Sequence, residues 1–170
     1  MRRIRYSVAM SLDGFIAGPK GESDWIIIDP DIDFNEIFNE FDTILVGART
    51  FQPMAAAGRA TMPGMKTIVC SGTLQQEDHP GVTIVGGNQM EILAALKSSP
   101  GKDIWLFGGG HLFRSLAERG LVDTVEVAVV PILLGAGVPL APHPTKWISL
   151  SLENHRVFRT GIVSLAYAIE

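Results

Sequence analysis

The stretch "FGGGHLF", residues 107–113, decides how the rest of the chain is read. It follows the apolar run "DIWLF" at 103–107 and opens "HLFRSLAERG" at 111–120. At helical spacing, Leu112, Phe113 and Leu116 in that second segment turn toward a core, while Arg114 and Glu118 turn outward. Gly120 stops the helix. The order is therefore strand, three glycines, helix. In open α/β sheets ligands bind beyond the carboxyl ends of the strands, where helix N-termini offer unpaired N–H groups with a partial positive charge. Gly108, Gly109 and Gly110 would let an anion approach that backbone. The run does not match a Rossmann G-x-G-x-x-G pattern, because Phe113 stands where the third glycine belongs, and it lacks the Lys-Ser/Thr of a P-loop. A tight, closely packed strand-to-helix turn is the other meaning three glycines can have.

The same arrangement occurs twice more. "VGARTF" at 46–51 gives a strand, Gly47, and a helix start carrying Arg49 and Thr50, a cation and a hydroxyl suited to phosphate oxygens. "VCSGT" at 69–73 places Ser71, Gly72 and Thr73 after a strand. Three such ends on one sheet edge would concentrate attraction for an extended anionic ligand on a chain whose formal net charge is -4.

Outward from these motifs, residues 3–10 alternate as a first strand, and "SLDGFIAGPKGESDW" supplies the breaks of a long ordered loop, a candidate lid. In "DIDFNEIFNEFD", Ile32, Phe34, Ile37, Phe38 and Phe41 share one helical face, with Asp33, Glu36 and Glu40 on the other. "TILVG" is a buried strand, and "RTFQPMAAAG" a helix that accommodates Pro53 in its first turn and closes at Gly58. Strands at "KTIVCS" and "VTIVG", a helix at "QMEILAALKSS" and the long strand "VDTVEVAVVPILLG" continue the alternation. "WISLSLENHRVF" and "GIVSLAYAIE" read as a final antiparallel pair. The expectation is one α/β domain over residues 1–170, a mostly parallel sheet with an antiparallel C-terminal edge.

Composition narrows the function classes. The 170 residues are 46% hydrophobic, enough for a continuous core around an enclosed pocket. A pI near 5.5 gives no electrostatic footprint for nucleic acid. No apolar run approaches a membrane span and no signal-like stretch follows the first arginines, so a cytoplasmic protein is expected. Cys70 stands alone, and His79, His111, His143 and His155 have no ligand spacing, so neither a disulfide framework nor a metal site is expected.

Taken together, "SVAMSLDGFIAG", "DW" at 24–25, "FDTILVGARTF", "TIVCSGT", "IWLFGGGHLFRSL", "LVDTVEVAVVPILLGAGVPL" and "GIVSLAYAI" resemble the dihydrofolate reductase superfamily over the full length of the chain. They look most like its branch containing the reductase domain of the bifunctional riboflavin-biosynthesis deaminase-reductase. The resemblance implies a three-layer fold with NADPH lying across the strand ends. It implies Ala9 beside the nicotinamide, Ile16 and Ala17 in a covering loop, and Gly47, Arg49 and Thr50 at the pyrophosphate. Ser71, Gly72 and Thr73 would face the adenosine side, and Gly108, Gly109, Gly110, His111, Leu112 and Phe113 the pyrophosphate again. Two positions that commonly hold the 2′-phosphate in that family are Ala48 and Gly72 here, which leaves NADH possible beside NADPH. His111 would compensate only when protonated.

Hydride transfer to a C=N or C=O bond needs a proton source. The resemblance points to a carboxylate on the first helix, with Asp33 the nearest counterpart and Asp31 next; a helix N-terminal carboxylate favoured by the dipole is the alternative for either. By the same resemblance Asp24 and Trp25, with Phe34, would contact a flat heterocycle, a place in the core being the alternative for Trp25. No H-x-E or P-C-x-x-C zinc signature occurs, so the chain corresponds to the reductase part alone. The expected activity is NAD(P)H-dependent reduction of a pteridine-like or aminopyrimidine-like heterocycle, the alternative being a non-catalytic dinucleotide-binding module. A homodimer is expected, with "VEVAVVPILLG" pairing across the two-fold axis.

Overall fold

A computed structural model describes all 170 residues. The chain runs β1 (Ile4–Ser11), β2 (Phe15–Ala17), α1 (Phe34–Asn39), β3 (Phe41–Gly47), α2 (Ala48–Ala56), β4 (Lys66–Cys70) and β5 (Thr83–Val85). It continues with α3 (Gln89–Ser98), β6 (Asp103–Gly108), α4 (Gly110–Ala117), β7 (Thr124–Val130), β8 (Val138–Pro139), β9 (Leu150–Val157) and β10 (Val163–Ile169). Eight strands form one sheet in the order β5-β4-β3-β6-β1-β7-β10-β9. The first six are mutually parallel, and β10 runs antiparallel to both of its neighbours, the expected antiparallel edge.

Period-two alternation sorts the sheet into two faces. Ile4 and Tyr6 of β1, Ile104 and Leu106 of β6, and Val125 and Val127 of β7 turn to the face covered by α3 and α4, where they meet Leu93, Phe113 and Leu116 in the main core. The Tyr6 and Phe113 rings stack there with centroids 4.1 Å apart. A smaller core of Val46, Phe51, Val69 and Val82 fixes α2 on the other face. Helix layers on both faces complete three layers. No helix is long and apolar enough to cross a membrane.

Four details differ from the sequence expectations. Phe41 is not part of the first helix: α1 stops at Asn39, and Phe41 opens β3, buried and stacked on Trp105. Pro53 lies in the second turn of α2 rather than its first, where it leaves the Arg49 carbonyl without an i+4 donor. The candidate lid is partly regular, since β2 pairs with β8. And β7 is hydrogen-bonded to β1 on one side and β10 on the other, so it has no free edge to pair across a two-fold axis. The open edge belongs to β9, exposed along its whole length, with Leu150, Leu152 and Val157 on it.

Candidate functional site

Because β4, β3 and β6 are adjacent and parallel, their carboxyl ends bring Ser71, Gly47 and Gly108 to one edge. Helices α2 and α4 start directly there. Their N-caps are Gly47 and Gly109, and neither receives a side-chain cap. The first-turn N–H groups of both helices are therefore left for an outside acceptor, at the positive ends of two helix dipoles. A cleft of about 1950 Å³ opens over this edge, lined by Gly47, Arg49, Thr50, Ser71 and Gly108–Gly110 among others.

Each of the three glycines has its own local reason. Gly108 sits at φ 157°, and the peptide joining it to Gly109 is cis. A Cβ on Gly109 would lie 3.1 Å from Thr50 Oγ1. A Cβ on Gly110 would lie 2.6 Å from the Pro139 carbonyl oxygen and 2.8 Å from Pro142 Cδ, both on rigid neighbours. Close packing thus accounts for Gly110, and the surface bare of side chains that this leaves is the uncapped start of α4. Gly72 is different, with nothing within 4 Å of a Cβ built on it, on the cleft wall.

Of the residues the sequence pointed to on the dinucleotide side, Ala9, Ile16, Ala17, Gly47, Arg49, Thr50, Ser71, Gly72, Gly108, Gly109, Gly110, His111 and Leu112 line this one cleft. Thr73 and Phe113 do not. The Ser71 hydroxyl accepts from the N–H groups of Thr73 and Leu74 and so holds the turn that carries Gly72. Phe113, turned about 100° from Leu112 around the helix axis, points into the main core and stacks on Tyr6. Two cations complete the wall: Arg49 and Arg59 line the cleft and have no hydrogen-bond or ion-pair partner. The donor set of two uncapped helix starts and two free guanidinium groups suits a dinucleotide's phosphates.

Beyond Ala9 the cleft becomes a trough on the sheet itself. Cross-strand register places Ser7 beside Glu126, Glu126 beside Ala166, and Ala166 beside Asn154. The next row reads Ala9, Ala128, Ser164, Arg156. All eight line the cleft. Small side chains on three successive strands, Ser7 and Ala9, Ala128, and Ser164 and Ala166, leave a flat floor, walled by Phe34 and Phe38 of α1 and by Trp105 and Phe107 of β6. The Trp105 indole N–H donates to the Ser7 carbonyl at 2.9 Å, and its ring stacks on Phe38, so the wall is fixed. Beside Ser7, on the same face of β1 and also lining the cleft, Arg5 donates to both Glu126 oxygens at 2.7 and 2.9 Å, pairs with Glu40 and lies over the Phe41 ring. Burial disfavours the Arg5 charge, but the hydrogen bonds from Glu126 and Glu40 outweigh it and raise its pKa.

Phe34 is the one substrate-side candidate that reaches the cleft. Asp33 is the N-cap of α1, its Oδ1 accepting from the N–H groups of Asn35 and Glu36 at 2.9 and 3.1 Å, so the dipole-favoured alternative describes its position. Asp31 forms an ion pair with Arg159. Asp24 is exposed, and Trp25 donates its indole N–H to the Glu22 carbonyl. These four stand outside the cleft lining. What the sequence missed is the floor: Glu126, Ala128, Ser164 and Arg156 have no local motif, and only strand register brings them together.

Loops are pinned around the trough by carboxylates. Asp29 has no accessible surface and accepts from the Asp31 N–H and from both the N–H and hydroxyl of Thr160. Burial opposes its ionisation, yet these hydrogen bonds win and lower its pKa. Asp13 accepts from the Ser11 hydroxyl and from the N–H of Gly135 at 2.7 Å, which joins the β1–β2 turn to the loop after β7. Those bonds, the Ser11 one first, lower it to about 2. Cys70, at the end of β4, is pushed up to about 12 by burial and stays a thiol.

Comparison with known proteins agrees with this geometry. The family profile of the RibD C-terminal domain matches residues 2–164. The chain is 35% identical to the uncharacterized protein YyaP of Bacillus subtilis (strain 168), covering 98% of this chain and 94% of YyaP. A crystal structure of a putative riboflavin biosynthesis protein from Shewanella sp. PV-4 superposes with a TM-score of 0.82 at 26% identity, covering 100% of this chain and 99% of that one. Dihydrofolate reductase from Enterococcus faecalis, solved with NADP(H), superposes at 0.71 with 18% identity over 99% and 96% of the two chains, which shows a dihydrofolate reductase-like fold. An α/β sheet with uncapped helix starts along one edge, a full-length family match and these neighbours lead to one conclusion: the chain belongs to the RibD C-terminal domain family.

Proposed function

We propose that the protein is an NAD(P)H-dependent reductase that transfers a hydride to a pteridine-like or aminopyrimidine-like heterocycle. One observation carries this: the phosphate-suited edge with its two uncapped helix starts runs without a break into a flat trough at Ala9. When bound, the dinucleotide supplies the hydride. Gly47, Arg49, Thr50 and the start of α4 hold its pyrophosphate, and Arg59, Ser71 and Gly72 border its adenosine end. The floor of Ser7, Ala9, Ala128 and Ser164 seats the heterocycle flat against the nicotinamide, and Trp105 and Phe38 exclude water from one side. A C=N carbon takes the hydride and its nitrogen takes a proton. With Glu126 engaged by Arg5 and Asp33 capping α1, water entering through the open mouth is the proton source.

That Glu126 is engaged by Arg5 and Asp33 caps α1 also supports a second reading, a dinucleotide-binding module without turnover. Titration with NADPH and NADH, followed by fluorescence, comes first. Of the three tryptophans only Trp105 lines the cleft, so quenching reports on it. Micromolar binding is expected, and a folded protein that binds neither dinucleotide overturns the reductase and the module together. Oxidation of the bound dinucleotide across a panel of pterins and aminopyrimidines then separates the two. We further propose a cytoplasmic homodimer, now with β9 as the pairing edge in place of β7, since the exposed Leu150, Leu152 and Val157 lie on it and the fully exposed Trp147 just precedes it.

A further inference from the structure

At the pole opposite the dinucleotide edge, β3 and β4 begin side by side, with Thr43 beside Lys66. Lys66 and Ile68 alternate onto the face covered by α3, whose C-terminal end supplies Leu96 and the C-cap Ser99. Between them lies a cavity of about 600 Å³, within the usual range for small-molecule sites and sharing no lining residue with the cleft. Met65, Ile68 and Leu96 make one side of it apolar.

The polar side is unbalanced. Asp42 accepts with Oδ1 from Arg2 and the Thr43 hydroxyl, and with Oδ2 from the Lys102 N–H. The Thr43 hydroxyl also accepts from Arg2 at 2.8 Å, and the Ser99 hydroxyl donates to the Leu96 carbonyl. Every side-chain oxygen in the wall therefore has a partner, while two cationic donors do not. Arg2 is only 7% exposed. Its Nε donates to the Lys102 carbonyl at 2.6 Å and its Nη2 to Asp42 and Thr43, which fixes the guanidinium plane. Nη1 has no partner and keeps accessible surface, and the cavity is where Arg2 meets open space. Lys66, at the rim, is likewise without a hydrogen-bond or ion-pair partner. Two cations and one carboxylate leave this wall with a single positive charge.

We infer that the cavity is a second ligand site, which takes a small monocarboxylate with an apolar body. The carboxylate meets Arg2 Nη1 and Lys66, and the body lies on Met65, Ile68 and Leu96. A neutral ligand of the same shape would leave the buried N–H groups of Nη1 unpaired, and a phosphate dianion would exceed the charge of the wall and leave its apolar side uncovered. The site stands at the other end of β3 and β4 from the dinucleotide edge, so the inference does not depend on the reductase reading.

The test follows the amide resonances of the full chain by NMR during titration with benzoate, with benzamide as the neutral isostere and inorganic phosphate as the anion without an apolar body. Benzoate is expected to give saturable shifts at Met65, Lys66, Ser99 and Lys102 with a Kd of about 1 mM or below, and the other two probes to bind there about tenfold more weakly. Lys66→Gln should weaken benzoate several-fold and leave benzamide unchanged. Arg2→Gln should remove the preference for benzoate over benzamide. Met65→Trp fills the cavity while leaving the Arg2–Asp42 pair in place, and should abolish the shifts at Lys66 and Ser99 even if Arg2→Gln does not fold. No saturation by about 10 mM benzoate, equal affinity for benzamide, tighter binding of phosphate, or shifts that survive Met65→Trp overturns the inference. NADPH affinity, titrated separately, should be unchanged in all three variants, and its absence in the native protein would strike the reductase reading alone.

Discussion

Along β4, β3 and β6 the cleft is built from backbone, namely glycines and the open starts of α2 and α4, whereas along β1, β7, β10 and β9 it is built from side chains set out in rows by strand register. The first half needs only a strand, a glycine and a helix in sequence, so it can bind any ligand with phosphates at the right spacing. The second half depends on which residues happen to lie opposite one another across four strands, and there a single substitution changes what fits. On the proposed reading, the dinucleotide occupies the half made by local rules, and substrate choice falls to the half made by long-range pairing.

The largest effect that tests this division is at Phe113, adjacent in sequence to the dinucleotide edge but packed on Tyr6. Phe113→Ala is expected to cost about 3–5 kcal/mol of stability, seen as a fall in thermal midpoint, while dinucleotide affinity of the folded fraction stays within about twofold. Loss of affinity at native stability would move Phe113 back into the site. Gly110→Ala follows: its Cβ would press on the Pro139 carbonyl, so about 1–3 kcal/mol should be lost and the start of α4 displaced. Gly72→Ala has open space and should leave stability within about 0.5 kcal/mol, changing dinucleotide affinity alone. Chemical denaturation of the two variants sharpens the contrast between glycines kept for packing and one kept for access.

Asp33→Ala removes an N-cap and should lower stability by about 1 kcal/mol with turnover preserved. A fall in kcat of about a hundredfold or more would instead make Asp33 the proton donor. The smallest effect is at Asp13. Its folded pKa of about 2 lies below the ordinary value of 3.8, so its tether contributes above pH 3.8 and is lost as pH falls toward 2. Hydrogen-exchange protection of Leu134 and Gly135, taken relative to the intrinsic rate at each pH, should fall through that window in the native protein and already be low in Asp13→Asn at pH 6.

Much of the fold is legible in the chain because its signals are local. "DIWLF" and "KTIVC" are mostly apolar runs, as parallel strands with a neighbour on each side must be, and Gly58 and Gly120, at positive φ, stop helices as glycines do. The boundary errors have local causes too. Phe41 continues the helical spacing of Phe34 and Phe38, yet burying it against Trp105 in β3 is worth more than another residue of helix. Asp33 and Asp31 look alike as carboxylates near a heterocycle site. Asp33 meets N–H groups two and three residues along the chain, whereas Asp31 meets the guanidinium of Arg159, more than a hundred residues away.

The sequence by itself determined the alternation of strands and helices, the glycine-bearing ends and the family likeness, since each depends on neighbours within a few residues. Only the tertiary structure decided that Ser7, Glu126, Ala166 and Asn154 form one row and Ala9, Ala128, Ser164 and Arg156 the next. Hydrogen-bond register between β1, β7, β10 and β9 is fixed by the packing of the whole sheet, and no stretch of the chain carries it alone.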